Sequence, residues 1–292
     1  MSVEHAPEGL SGRTPGQQHA TAYDEATRAR LDADAAQVIA RYPQERSALL
    51  PLLHLVQSVD GYVSPRGIAF CAATLGLTTA EVSAVATFYT QYKRHPNGDY
   101  TVGVCINTLC AVMGGDAIWE ELSEHLGCDH DETTEDGSIT LERIECNAAC
   151  DYAPVMMVNW EFFDNQTPQS AREVVDRLRA GEAVAPTRGA DRVVTFTEMS
   201  RVLAGFPDGR ADEGVAAGGP TLEGLRVAKG HGWTAPAFPG DEGASARPAA
   251  SGDVPPRVGD EQSSAQRPVT TSGDVSPEGQ QTKQASDDAK ES

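Results

Sequence analysis

The chain has 292 residues and a formal net charge of −20. A chain this negative repels phosphate backbones and anionic lipid headgroups, which argues against nucleic acid or a membrane surface as a direct partner. Aromatic residues make up only 6% of the chain, and many of the 28 glycines and 18 prolines come late, so the folded part should be shorter than the whole.

The first third of the chain has the pattern of a helical region. Residues 1–22 are polar and contain Gly, Pro and His, which predicts a flexible arm. Over residues 23–98, apolar residues recur at helical spacing in four segments. Ser64 followed by Pro65 is typical of a helix start, and Thr78 with Glu81 matches a capping box. The sequence therefore predicts an N-terminal helical bundle over residues 23–98.

Strand-like periodicity begins after a turn at residues 95–98, and residues 99–187 alternate strands with helices. Two predicted strands enclose a helix, and two further strands precede a last helix whose start is Thr167-Pro168. This order is typical of a small α/β sandwich, so the fold class is α+β or α/β. The predicted elements are a strand at 100–106, a helix at about 113–126, strands at 139–145, 154–159 and 161–164, and a helix ending before Gly181.

The remaining residues carry weaker signals. Residues 188–240 contain one predicted helix, near DRVVTFTEMSRVLAG, and scattered apolar residues in a glycine-rich setting. This pattern predicts a partly ordered extension, which is either a segment that docks on a partner or an idle linker. Residues 241–292 consist largely of Ser, Gly, Pro, Asp and Gln and predict a disordered acidic tail. No run of 18 apolar residues and no secretory signal pattern is present, so we expect a cytoplasmic location.

Four of the six cysteines form two close pairs, Cys105 with Cys110 and Cys146 with Cys150. Cysteines in a reducing cytosol are seldom structural disulfides, so two close pairs favour a metal site or redox chemistry. Both pairs lie in loops that leave predicted strands. The other two cysteines are expected to be inert, because Cys71 falls on an apolar helical stripe and Cys128 is followed by acidic residues.

Three kinds of site compete for the paired thiols. An exchangeable dithiol favours two intervening residues, whereas the pairs here are separated by four and three residues. Structural zinc accepts four thiolates, although it usually stabilises small domains that lack an apolar core, and this region has apolar strands. A 2Fe-2S cluster takes two thiolates per iron on loops held by a rigid scaffold, and the two pairs supply that number.

Two segments resemble a known family. VCINTLCAVMGG and DGSITLERIECNAACDYAPVMMVNWEFFDNQTPQSAREVVDRL resemble the thioredoxin-like 2Fe-2S ferredoxins, in particular those that serve as the E subunit of bacterial NADH:quinone oxidoreductase, respiratory complex I. The helical segment agrees through SALLPLLHLVQ, GYVSP and VATFY. The resemblance covers residues 23–182. It implies a helical bundle followed by a thioredoxin-like 2Fe-2S domain, between a flexible arm and a disordered tail.

The resemblance also implies a function and a ligand set. Cys105 and Cys110 would bind one iron, and Cys146 and Cys150 the other iron, of one 2Fe-2S cluster. The chain would be a redox subunit with no complete active site of its own, and FMN and NADH would bind a partner flavoprotein beside other hydrophilic-arm subunits. Its location would be peripheral, on the inner face of the cell membrane through the complex. Equivalent subunits of NAD-linked formate dehydrogenases and hydrogenases remain alternatives, and a zinc-bound scaffold is a more remote one.

Overall fold

The computed structural model describes residues 21–211 and 213–234. Most of the predicted arm (residues 1–20) and all of the predicted tail (residues 241–292) lie outside the described residues. A helical N-terminal region precedes a five-stranded mixed sheet with its own helices, which confirms the predicted fold class. The order of helices and strands follows the sequence-based prediction, with the additions given below.

Four helices make up the N-terminal region, and local sequence signals set their starts. The Asp24 and Ser64 side chains accept backbone N–H groups at the starts of the first and third helices, and Thr78 with Glu81 forms the predicted capping box of the fourth. Gly61 and Gly76 end the second and third helices in the left-handed conformation. The helices are α1 (Glu25–Ile39), α2 (Leu49–Asp60), α3 (Pro65–Leu75) and α4 (Thr79–Phe88).

The bundle core is built mainly around α2, whose apolar side chains are almost fully buried. Leu52, Leu53 and Val56 have no exposed surface, and α1, α3 and α4 all pack against this helix. Burying a side chain of this size contributes about 1.5–3 kcal/mol of transfer free energy. The bundle is therefore a packed core of its own rather than a loose appendage.

The second half contains the sheet. Its elements are β1 (Tyr100–Cys105), α5 (Thr108–Val112), α6 (Gly115–Leu126), β2 (Glu132–Thr133), β3 (Ile139–Ile144), β4 (Met156–Val158), β5 (Glu161–Phe163) and α7 (Pro168–Arg179). The strand order is β2-β3-β1-β4-β5, with β1 parallel to β3 and the other neighbours antiparallel. The predicted strand–helix–strand crossover and the terminal hairpin are thereby confirmed.

The register of the parallel pair decides where the cysteines lie. Cys105, the last residue of β1, pairs with Ile144, the last residue of β3. Parallel strands place their carboxyl ends at the same edge of a sheet. The loop after β1, which carries Cys110, and the loop after β3, which carries Cys146 and Cys150, therefore leave the sheet side by side.

The C-terminal extension folds back across both regions. Helix α8 (Phe196–Leu203) packs against α2, and Gln57 donates a hydrogen bond to the Ser200 hydroxyl over 3.3 Å. Phe196 donates its backbone N–H to Asp99 and stacks on Trp160 with ring centroids 5.6 Å apart. The extension thus ties the bundle to the sheet.

Several short elements were not predicted: α5, β2, helix α9 (Gly219–Gly230) and the 3-10 turns at Glu45–Ala48 and Cys150–Tyr152. Helix α9 contacts the second of these turns. In the described part of the chain, no helix is by itself long and apolar enough to cross a membrane; α3 and α4 reach the required length and composition only jointly, with a bend of 118° between them.

Candidate functional site: two cysteine pairs at one edge of the sheet

The first cysteine pair is buried in a tight strand-to-helix connection. Cys105 is 2% exposed at the end of β1, and Cys110 is 3% exposed in α5. Gly115 begins α6 directly behind them, and a Cβ atom at that position would lie 2.6 Å from the Cys105 carbonyl oxygen and 2.9 Å from that of Cys110. Only glycine fits at such an approach. The packing of α6 therefore fixes the backbone of this pair.

The second pair lies in an exposed turn after β3. The Cys146 and Cys150 Sγ atoms are 3.6 Å apart and both side chains are exposed. The Ala148 N–H donates to the Cys146 sulfur over 3.4 Å, and Ala148 has a φ of 56°, in the left-handed region. Ala149 turns inward and packs with the first pair and Val155. The backbone of this turn therefore hydrogen-bonds to the sulfur of Cys146.

Interactions between thiols link the two pairs. Burial raises the pKa of Cys110 to about 11, a backbone hydrogen bond at Val155 opposes this shift, and Cys105 and Cys150 add to it. The pKa of Cys150 is raised first by its hydrogen bond to Cys146, then by the charge of Cys146 and more weakly by burial and by Cys105. The structure therefore brings together all four of the sequence-predicted site residues. Four adjacent thiolates repel one another, and a bound cation would relieve this repulsion.

The distance between the Cys146 and Cys150 sulfurs matches coordination of one metal ion by two thiolates. Two thiolates about 2.3 Å from one tetrahedral metal stand about 3.8 Å apart. The 3.6 Å separation of Cys146 and Cys150 agrees with this spacing and is far longer than a disulfide bond of about 2.05 Å. Among the described residues no three Cys, His, Asp or Glu side chains surround a single metal position. The donor set is thus two thiol pairs, and its chemistry fits a cluster that takes two thiolates per iron.

Polar contacts join the two loops and balance part of the surrounding charge. Asn107, in the first loop, donates to the carboxylate of Glu145, directly before Cys146. Glu142 forms a buried ion pair with Lys93 from the segment after α4. Asp151 accepts a hydrogen bond from Thr221 on α9. The charge of Glu142 is therefore compensated by a cation, whereas Glu145 and Asp151 accept hydrogen bonds from neutral groups.

The two remaining cysteines lie away from this edge. Cys71 is fully buried in the bundle core, and burial raises its pKa to about 12. Cys128 is 6% exposed beside α6, and burial, followed by Glu132 and Asp136, raises its pKa. Burial thus contributes more to the Cys128 shift than the acidic neighbours do. Both thiols are protonated at neutral pH, as expected from their sequence context.

Sequence reasoning missed two residues of the site. The Gly114-Gly115 pair just after Cys110 is a sequence signal for a close backbone approach, which the structure places at Gly115. The prediction did not include it. The Asn147 side chain, between the two cysteines of the second pair, has a buried amide nitrogen with no hydrogen-bond partner among the described residues. No sequence pattern indicates that burial.

Comparison with known proteins agrees with the geometry. The model of the thioredoxin-like [2Fe-2S] ferredoxin family matches residues 35–179. The chain is 65% identical over 213 residues to the E subunit of NADH-quinone oxidoreductase from Mycobacterium bovis, covering 73% of this chain and 84% of the relative. It is 36% identical over 149 residues to NADH-quinone oxidoreductase subunit 2 of Thermus thermophilus, covering 50% of this chain and 82% of the relative.

Among solved structures, a thioredoxin-like [2Fe-2S] ferredoxin from Aquifex aeolicus is 21% identical, with a TM-score of 0.25, and the match covers 31% of this chain and 92% of that chain. The family assignment comes from the sequence relatives, because the chain is 65% identical to a protein of which it covers more than two thirds. The resemblance predicted from the cysteine motifs is confirmed. The chain belongs to the thioredoxin-like [2Fe-2S] ferredoxin family, among the E subunits of NADH-quinone oxidoreductase, and is an iron-sulfur electron-transfer subunit.

Proposed function

We propose that this chain holds one [2Fe-2S] cluster through Cys105 and Cys110 on one iron and Cys146 and Cys150 on the other, and accepts one electron at a time from the flavin of a partner NADH-oxidising subunit. The observation that carries the proposal is the meeting of both cysteine pairs at the edge where β1 and β3 end. A cluster bound there supplies one-electron redox chemistry. NADH and FMN would bind the partner, so the chain would have no complete active site of its own.

The polypeptide contributes position and access. Gly115 and the end of β1 fix Cys105 and Cys110 in a buried connection, which limits water on that side of the site. The exposed turn of Cys146 and Cys150 leaves the opposite side open. An electron donor or acceptor can therefore approach most closely at the second pair.

Exposed apolar side chains lie in two segments next to the cysteines, the loop that carries Cys110 and helix α9. Leu109, Val112 and Met113 of the first loop are 45%, 79% and 56% exposed, and Leu222 and Leu225 of α9 are 46% and 52% exposed. Exposed apolar residues around a functional site mark protein interfaces. They support a flavoprotein surface as the partner on this side.

Helix α9 would then be part of the docking face. Thr221 donates to Asp151, next to Cys150, and the contact at Gly218 is so close that a Cβ atom would collide with the Tyr152 hydroxyl. These contacts hold the first turn of the helix beside the second cysteine pair. This placement supports the prediction that residues 188–240 include a partner-docking segment.

The assembly is proposed to be respiratory complex I, with the chain in the cytoplasm and peripheral on the inner face of the membrane. The 65% identity to an NADH-quinone oxidoreductase subunit supports this choice over an NAD-linked formate dehydrogenase or hydrogenase. Isolation of the native complex followed by subunit identification decides between them. Co-purification with hydrogenase or formate dehydrogenase subunits would contradict the choice of complex I.

The ligand assignment is tested with all six cysteines. Single Ala substitutions of Cys105, Cys110, Cys146 and Cys150 in the full chain should each reduce iron and acid-labile sulfide from about two per chain to a small fraction, since a [2Fe-2S] cluster needs four protein ligands. Cys71→Ala and Cys128→Ala are the matched controls and should retain the iron. A full iron content in any of the first four variants, or stoichiometric zinc in the unaltered chain, would contradict the assignment.

The docking surface is tested separately. Leu222→Asp combined with Leu225→Asp should weaken association with the flavoprotein subunit by about tenfold or more, because two apolar contacts are replaced by desolvated charges. Leu50→Asp, on a 40% exposed position of α2, is the control. Unchanged association of the double variant would show that α9 lies outside the interface.

A further inference from the structure

One buried amide at the second cysteine pair lacks a hydrogen-bond partner among the described residues. Asn147 immediately follows Cys146 and precedes Cys150 by three residues. Its Nδ2 atom is buried, yet it donates no hydrogen bond to any atom of the described residues. Leaving a buried amide donor unsatisfied costs about 1–3 kcal/mol, so such groups nearly always find a partner. A bound group or a water molecule would therefore satisfy the Asn147 amide, which the described residues do not.

The backbone of the turn fixes the residues on either side of Asn147. The Ala148 N–H donates to the Cys146 sulfur, and the left-handed Ala148 reverses the chain between the two cysteines. Ala149 is buried against the first pair. Asn147 thus lies between Cys146 and Ala148, two residues joined by a hydrogen bond.

Two partners are chemically suited to the free N–H: a sulfur of the bound cluster, or a water molecule. A cavity of about 200 Å³ adjoins the turn, with Cys146, Asn147, Lys93, Glu142 and Trp160 among its lining residues, and it is large enough for water. Lys93 and Glu142 in the cavity bond one another, and the lining side chains of Thr101, Glu145 and Asn159 also have hydrogen-bond partners. The amide, by contrast, is on the segment that links two cluster ligands.

Resting on the proposed cluster, we propose that Asn147 is a positioning residue that donates its amide N–H to a cluster sulfur on the Cys146–Cys150 side and thereby raises the reduction potential. Reduction adds negative charge to the cluster, and an N–H donor stabilises the more negative form. Asn147 would thus make the cluster a better electron acceptor. It takes no part in the electron transfer itself.

The test compares the full chain with Asn147→Leu, which keeps a similar shape and removes the donor. In an EPR-monitored redox titration, the variant should be reduced with an equilibrium constant about tenfold smaller, which is about 59 mV lower for a one-electron couple. Resonance Raman spectra in H₂O and D₂O give an independent readout. The Fe–S stretching bands of the unaltered chain should shift in D₂O, and part of this shift should be lost in the variant.

The matched control is Asn107→Leu. Asn107 is an asparagine of the other cysteine loop whose amide is already bonded to Glu145. The same substitution there should change the potential by less than a third as much and leave the deuterium shift intact.

An Asn147→Leu cluster with the potential and deuterium shift of the unaltered chain would overturn the proposal and identify water as the partner of the amide. Should Asn147→Leu fail to hold the cluster, Asn147→Met gives the same comparison with a more adaptable side chain. Because the Ala148 N–H also donates to the Cys146 sulfur, the readout is the part of the deuterium shift that the variant loses. Absence of any deuterium shift in the unaltered chain would also overturn the proposal. Failure of the proposed function is distinguishable, because the unaltered chain would then lack the cluster altogether.

Discussion

The two cysteine pairs are built in opposite ways. Cys105 and Cys110 lie on a strand end and a helix, are almost completely buried, and face a glycine that leaves no spare room. Cys146 and Cys150 lie in an exposed turn held by a left-handed alanine. The first pair is therefore positioned by the packing of the whole domain, whereas the second is positioned by a few local hydrogen bonds.

This contrast assigns different tasks to the two halves of the site. A rigid, dry half fixes where a cluster sits and keeps water from the sulfurs. An open half permits close approach of a partner, which electron exchange requires. Substitutions that strain the backbone around the first pair should therefore damage cluster assembly, whereas a backbone substitution in the turn between Cys146 and Cys150 should be tolerated.

The largest effect is expected from Gly115→Ala. The added methyl group would lie 2.6 Å from the Cys105 carbonyl oxygen, which is backbone and cannot rotate away. Overpacking of this kind typically costs about 1–3 kcal/mol, and here the strain falls on the cysteine backbone. Iron content of the purified chain should fall to less than half, and the melting temperature should fall as well.

Gly224→Ala in α9 is the control for this change, because nothing lies within 4 Å of a Cβ atom there. It should leave iron content unaltered. A Gly115→Ala chain with full iron content and an unchanged melting temperature would show that packing at Gly115 does not fix the first cysteine pair.

An intermediate effect is expected in thiol accessibility. After removal of iron by a chelator, Cys146 and Cys150 should react with iodoacetamide at least about tenfold faster than Cys105 and Cys110, because exposed thiols are reached without local unfolding. Peptide mass spectrometry over a time course measures the four rates. The buried Cys71 is an internal reference for slow reaction. Equal rates at both pairs would show that the first pair is not held rigidly without metal.

The smallest effect is expected from Ala148→Gly. A left-handed alanine costs roughly 1–2 kcal/mol, and glycine relieves this cost but loses about 0.5–1 kcal/mol through the flexibility of the unfolded chain. The net gain of about 0.5 kcal/mol should raise the melting temperature by about 1–2 °C. The iron content should not change.

Ala149→Gly is the matched control, since Ala149 has a φ of −112° and glycine offers no relief there. This variant should lower the melting temperature slightly. A lower melting temperature for Ala148→Gly than for the unaltered chain would mean that the turn is not strained at this position.

Sequence patterns predicted the elements whose signals are local. Ser64-Pro65, the Thr78–Glu81 capping box and Thr167-Pro168 each use side chains that bond to backbone within three residues, so their geometry follows from sequence alone. The cysteine spacing, together with the family resemblance, likewise identified the residues that the fold brings together. The capping signals are complete within a short stretch, whereas the two cysteine pairs meet because β1 and β3 pair in the sheet.

Elements that depend on distant contacts were missed. Helix α9 has glycines at positions 219, 224 and 230, which disfavour a helix, and its first turn lies against the Cys150–Tyr152 turn. Strand β2 has only two residues and exists because β3 pairs with it. Asn147 lines a cavity together with Lys93 and Trp160, which come from distant parts of the chain. None of these has a periodic signal.

EPR spectroscopy of the full, anaerobically purified chain tests whether the four cysteines hold one two-iron cluster. After reduction with dithionite, the chain should give a half-spin signal that integrates to about one spin per two irons, since one electron added to a two-iron cluster leaves one unpaired spin. Mixtures with a larger cluster would give a different iron-to-spin ratio. A colourless chain that contains stoichiometric zinc and gives no EPR signal would show that the four cysteines do not hold an iron-sulfur cluster.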